Sequence, residues 1–147
     1  MWRQWRKVNN YVHSVQTYQD MSPDLTIRNQ VNQSLRQHRT PLSSEDWCNE
    51  CHRVTQSAPT TLRFIYRTLE KYSGIEFSRV RPQDHLVEDL QFPMVCWFDW
   101  STSFCDEVIQ HFDIDISDCF DETRCDTLAD LIMFLDACLA SQSSPAN

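Results

Sequence analysis

At 147 residues the chain is long enough for one domain, or for one small domain with an arm. It holds a single glycine, Gly74, which excludes a P-loop or a dinucleotide fingerprint, since both need several glycines for backbone to approach phosphate. Its net charge of −8 is uneven: from Asp84 onward there are fourteen acids and one base, Arg124, so this half disfavours nucleic acid and favours a partner protein with a basic surface.

In chain order, Trp2, Trp5, Val8, Val12 and Val15 recur at three- and four-residue steps, and residues 2–18 read as an amphipathic helix suited to weak membrane or partner contact. Ser22-Pro23-Asp24 reads as a helix start with Ser22 as N-cap, and Ile27, Val31 and Leu35 mark a narrow apolar stripe behind it. Ser43 or Ser44 opens a short helix that buries Trp47, Cys51 and Val54. Pro59 opens a longer helix carrying Leu62, Ile65, Tyr66 and Leu69, closed by Gly74 as a positive-φ stop. A loop with anchors Ile75, Phe77, Val80 and Leu86 leads to a helix over 99–111, capped by Asp99 or Ser101, with Phe104, Cys105, Val108 and Phe112 inward. Asp126 or Thr127 caps the last helix, whose Leu128, Leu131, Ile132, Leu135 and Leu139 keep 3/4 spacing. The expected fold is all-α: an N-terminal helical extension over 1–57, a bundle over 58–140, and a disordered tail over 141–147.

Residues 60–140 resemble the acyl carrier protein family. The resemblance rests on order: a first helix ending in YSGIEF, the run Asp84-His85-Leu86-Val87-Glu88-Asp89-Leu90, a helix leaving through HFDIDISD, and a last helix beginning TLADLIMFLDA. It implies a four-helix bundle. It also implies a serine, bearing 4'-phosphopantetheine, at the start of the second long helix. The chain departs from the family there. Counting forward from Leu90 puts Met94 at the serine position, and counting back from Phe112 puts Phe98 there. Ser101 follows Trp100 rather than Asp and is the nearest substitute for the modified serine. By the same resemblance, Asp106, Glu107, Asp113, Asp115 and Asp118 match the acidic face that carriers dock on basic enzyme surfaces.

Other chemistry is weaker. Trp47-Cys48-Asn49-Glu50-Cys51-His52 fits both a CxxCH and a WCxxC formula, so Cys48, Cys51 and His52 are candidate metal or redox groups. No second CxxC completes a zinc site, and no βαβ pattern supports a redox fold, so a helix with two half-buried thiols is the expectation. Asp113-x-Asp115-x-Ser117-Asp118 begins like a calcium loop but has Asp118 and Arg124 where glycine and glutamate belong. Asp84 and His85 are sequence neighbours whose side chains diverge, and no nucleophile–base pairing is indicated. Phe92, Trp97, Phe98 and Trp100 crowd the junction where a carrier would display its arm, and Trp97 and Trp100 are taken as partner-binding anchors.

No apolar run approaches the roughly 18 residues of a membrane span, and no apolar stretch follows the basic start as in a signal peptide. A cytoplasmic protein with free thiols follows as the expectation. The expected function is a non-enzymatic carrier-like interaction module that has lost its prosthetic group. The alternatives are a functional carrier modified on Ser101 and a CxxC metal or redox protein.

Overall fold

The computed structural model describes residues 22–143. The helix expected over 2–18 lies outside these residues. Among them the fold is all-helical, with no strand beyond one antiparallel bridge between His85 and Thr127. The helices are α1 Leu25–His38, α2 Ser44–Thr55, α3 Pro59–Ser73, the single turn α4 Phe92–Val95, α5 Trp100–Phe112 and α6 Leu128–Ser143. Short 3-10 turns occupy Phe77–Arg79 and Glu122–Arg124.

Local chemistry explains most helix ends. Asp24 caps α1, accepting from Thr26 N and Ile27 N at 3.0 and 3.1 Å, so the N-cap is Asp24 and not the expected Ser22. The carboxylate is the better cap because it satisfies two orphan N–H groups and carries negative charge to the positive helix end. Ser43 caps α2 through Asp46 N. At the start of α6, Thr127 Oγ1 accepts from Asp130 N while Asp130 Oδ2 accepts from Asp126 N and Thr127 N, a reciprocal capping box. Helix α3 begins at Ala58-Pro59, which offers no local side-chain cap. Asp136 on α6 supplies one across the fold, accepting from Ala58 N at 3.2 Å and Thr61 Oγ1 at 2.8 Å.

Among the described residues four positions adopt the left-handed region, and one of them is glycine. Gly74 ends α3 at φ +67°, while Gln56, Gln91 and Asp113 sit at φ +59°, +52° and +59°. A chain with one glycine therefore tolerates three left-handed side chains, and Gln56 and Asp113 close α2 and α5. Gly74 has a second reason to lack a side chain: a Cβ there would fall within 3 Å of the Arg28 side chain.

One core joins all six helices. Trp47 and Cys51 of α2 are fully buried with Leu62, Phe64, Ile65 and Leu69 of α3, Phe104 and Val108 of α5, and Leu128, Leu131, Ile132 and Leu135 of α6. Trp47 donates Nε1–H to Val80 O at 3.0 Å and meets Tyr66 edge-on at 4.9 Å. The described part of the N-terminal extension thus packs on the bundle, with α1 adding Val31 and Leu35. The loop anchors Ile75, Phe77, Val80 and Leu86 are buried as expected. Helix α6 continues to Ser143, so residues 141–143 are helical and not part of a tail; 144–147 lie outside the described residues.

Candidate functional site

Between Leu90 and α5 the chain makes a series of turns. Gln91 is left-handed, Pro93 lies in the first positions of the one-turn α4, Cys96 is extended, and Trp100 N bonds back to Trp97 O at 3.1 Å. Asp99 occupies the N-cap position of α5 without a side-chain cap bond, while its carbonyl accepts from Thr102 N and Ser103 N. This geometry sends Phe92, Val95, Cys96 and Trp100 inward and leaves Trp97 and Phe98 outward, 40% and 65% exposed.

The four crowded aromatics therefore divide. Trp100 is 7% exposed and packs edge-on against Phe92, Phe104 and Phe120 with ring centroids 5.4, 6.4 and 6.2 Å apart. It is therefore largely buried, reaching the surface only as part of a groove wall. Trp97 and Phe98, with Val87 at 61% exposure, instead border a groove of about 330 Å³. Leu86, Phe92 and Trp100 also line this groove, as do Pro93, Glu122 and Thr123. Val87 and Glu122 were not singled out in the sequence. The signal for Val87 was its place one step off the Leu86–Leu90 pair, which turns it outward when both leucines are buried.

The five acids matched to a carrier's docking face do not line the groove. Asp106, Asp113 and Asp118 are exposed. Asp115 accepts from Ser117 Oγ and Ser117 N, and these bonds hold its carboxyl below the usual range. Glu107 is committed internally: it is ion-paired with Lys71 and accepts from Tyr72 Oη at 2.8 Å. Burial raises its carboxyl, but the bonds from Lys71 and Tyr72 outweigh that and leave it lowered. Glu107 thus differs from the other four acids in having a basic partner within its own fold.

Ser101 lies in the first turn of α5 and is half-buried. Met94 and Phe98, at the two counted serine positions, are both exposed. On α2, Cys51 is buried and Cys48 half-buried, one helical turn apart, and His52 bonds through Nδ1 to Ser57 O at 2.8 Å. Burial raises both thiols, Cys51 to about 12, which is the opposite of an activated thiolate. Among the described residues no group of three or more His, Cys, Asp or Glu is arranged to hold a metal ion. Asp84 and His85 do diverge: Asp84 binds Arg39, and His85 faces Asp89.

No described helix is long and apolar enough to cross a membrane. No protein family, curated protein or solved structure matches the chain.

Proposed function

We propose that this chain is a non-enzymatic, acyl-carrier-like helical module of the cytoplasm that carries no prosthetic group and binds a protein partner with a basic surface. The observation that carries the reading is the exposed pair Phe98 and Val87 on an apolar groove; by the sequence resemblance, counting back from Phe112, Phe98 falls where a carrier has its modified serine. Large aromatics left in water beside a concave apolar surface cost hydration free energy that a partner's side chains recover. The exposed acids Asp106, Asp113, Asp115 and Asp118, with Glu122 at the groove, supply the field that selects a basic partner.

The test is affinity capture from the native host with the full chain, its Phe98→Asp variant and its Val87→Asp variant. A partner retained by the first and lost by the variants, whose melting curves stay unchanged, supports the reading. Equal retention by all three sinks it.

A second reading is favoured by one observation: Ser101 stands in the first turn of a long helix with its side chain half-accessible. A functional acyl or peptidyl carrier would bear 4'-phosphopantetheine there. Intact mass after incubation with a phosphopantetheinyl transferase and coenzyme A decides between them. A gain of one phosphopantetheine that disappears in Ser101→Ala establishes the carrier and removes the first reading.

A further inference from the structure

We propose that the cavity between α3 and α5 is a binding site for the phosphate group of a small phosphate monoester. The cavity measures about 350 Å³ and shares no lining residue with the groove beside Phe98, so the site is separate from the docking surface.

Its lining is rich in donors that the fold leaves unspent. Arg67 and Lys71 lie one helical turn apart on α3, and Gln110 and His111 line the cavity from the end of α5. Lys71 is ion-paired with Glu107, whose other oxygen accepts from Tyr72 Oη at 2.8 Å, so that acid is already matched. Arg67 is different. Arg36, Arg39, Arg53 and Arg79 are each ion-paired with a carboxylate, whereas Arg67 has no hydrogen bond or ion pair among the described residues. It is near enough for its charge to help lower the Glu107 carboxyl. The cavity thus holds two cations, Arg67 and Lys71, against one carboxylate, in a chain whose net charge is −8. An arginine left unpaired there has its fork of N–H donors available to an oxyanion.

The second observation is Thr68. It lines the cavity, is 4% exposed, and its hydroxyl has no hydrogen-bond partner among the described residues. Buried hydroxyls are almost always bonded, and in a helix often to the carbonyl four residues back, as Thr55 and Ser73 are here. An unpartnered hydroxyl at a cavity wall calls for an acceptor among the cavity's contents.

Phosphate suits these groups better than carboxylate does. Guanidinium, hydroxyl, amide and imidazole donors come from two helices, and a tetrahedral group with three terminal oxygens can accept from all of them. The cavity is also larger than a phosphate alone, and Phe64 gives the organic remainder an apolar contact. The His111 ring is held in place by its neighbours, with centroids 5.3 Å from Phe64 and 4.6 Å from Phe112.

The test titrates the full chain with phenyl phosphate at constant ionic strength and follows amide and arginine Nε–H signals by NMR. Saturable shifts are expected at Arg67, Thr68, Gln110 and His111. Arg67→Ala should weaken binding about tenfold or more, because a charge-assisted hydrogen bond is lost and Arg67 is an exposed residue whose removal spares the core. Thr68→Val should weaken binding several-fold while the melting temperature holds or rises, since the hydroxyl has no protein partner to lose. Glu107→Gln should tighten binding, and Asp118→Asn, which removes the same charge outside the cavity lining, should not. Shifts that do not saturate, an affinity unmoved by Arg67→Ala, equal tightening by Glu107→Gln and Asp118→Asn, or benzoate bound as tightly as phenyl phosphate would each overturn the proposal.

Discussion

Arg39 and Asp84 form a two-pronged ion pair, Nη1 to Oδ2 at 2.5 Å and Nη2 to Oδ1 at 2.7 Å, that fastens the end of α1 to the loop before the groove. Asp84 Oδ2 also accepts from Arg81 N at 2.8 Å, and its backbone carbonyl accepts from Leu128 N at the start of α6. One buried carboxylate thus aligns α1, the 81–90 loop and the last helix. Side-chain exposure is 30% for Arg39 and 6% for Asp84, so the two partners are not equivalent.

That asymmetry sets the first prediction. Arg39→Ala strands a buried carboxylate and should cost about 3 kcal/mol. Asp84→Asn should cost less, because the partly exposed guanidinium can regain water. Urea unfolding of the two variants measures the order. A smaller loss in Arg39→Ala than in Asp84→Asn would show that the pair does not hold the loop in this way.

The second prediction follows from the scarcity of glycine. Gln56 ends α2 in the left-handed region at φ +59°, where its Cβ meets the adjacent carbonyl, and it is exposed. Replacing it with glycine removes that strain and loses part of the gain to the more flexible unfolded chain. Gln56→Gly should therefore stabilise by about 0.5–1 kcal/mol. The same change at Asp113, which ends α5 in the same way, should act in the same direction. A lower midpoint of denaturation in both variants would contradict the argument.

The parts of the fold written in neighbouring residues were legible in the sequence. Gly74 as a helix stop, Ser43 as one of two candidate caps and Thr127 as one of two others each depend on atoms within four residues, and the spacing of side chains reveals them. The first helix start was displaced because Ser22 and Asp24 are both good caps; the carboxylate takes two local N–H groups, and Asp24 N also bonds Met94 O, far along the chain, which no local pattern shows. The division of the junction aromatics was hidden for the same kind of reason. Trp97 and Trp100 are three residues apart, a spacing that shares a face only on a helix, and the helix begins at Trp100. Glu107 read as a surface acid because its partners, Lys71 and Tyr72, lie on another helix. The cap that Asp136 lends to α3 crosses 78 residues and leaves no local signal.

Glu107 gives the third prediction. The bonds from Lys71 and Tyr72 more than offset burial and hold its folded pKa below the ordinary 4.5. A depressed folded value means that the contribution is fully present above the unfolded pKa. It disappears as pH falls through the folded value. The melting-temperature gap between the native chain and Glu107→Gln should hold steady near neutral pH and close below about pH 4. Tyr72 keeps its proton throughout, since burial and the bond to Glu107 both raise its phenol. A gap that stays constant into acid would show that Glu107 contributes no ionised carboxylate to the contact.

The last prediction separates the two acidic regions by their response to salt. Glu122 lines the groove and Asp99 adjoins Phe98, whereas Asp106 and Asp118 are exposed acids outside the groove lining. Glu107 is unsuitable for a charge reversal, because a lysine there would break the Lys71 pair and confound binding with stability. Once a partner is in hand, association rates should be compared for Asp99→Lys with Glu122→Lys, and for Asp106→Lys with Asp118→Lys. Between about 0.1 and 1 M salt the Debye length falls from about 10 to about 3 Å, so steering by exposed charge is lost across that range. If the groove receives the basic partner, the first pair should slow association and flatten its salt dependence more than the second. Phe98→Ala should leave the association rate nearly unchanged and speed dissociation, because a buried aromatic anchor acts after encounter. A larger effect from the Asp106 and Asp118 pair would move the docking surface off the groove and onto the α5 face. Association unchanged in both pairs would leave the acids as solvated surface, with binding carried by apolar contact alone.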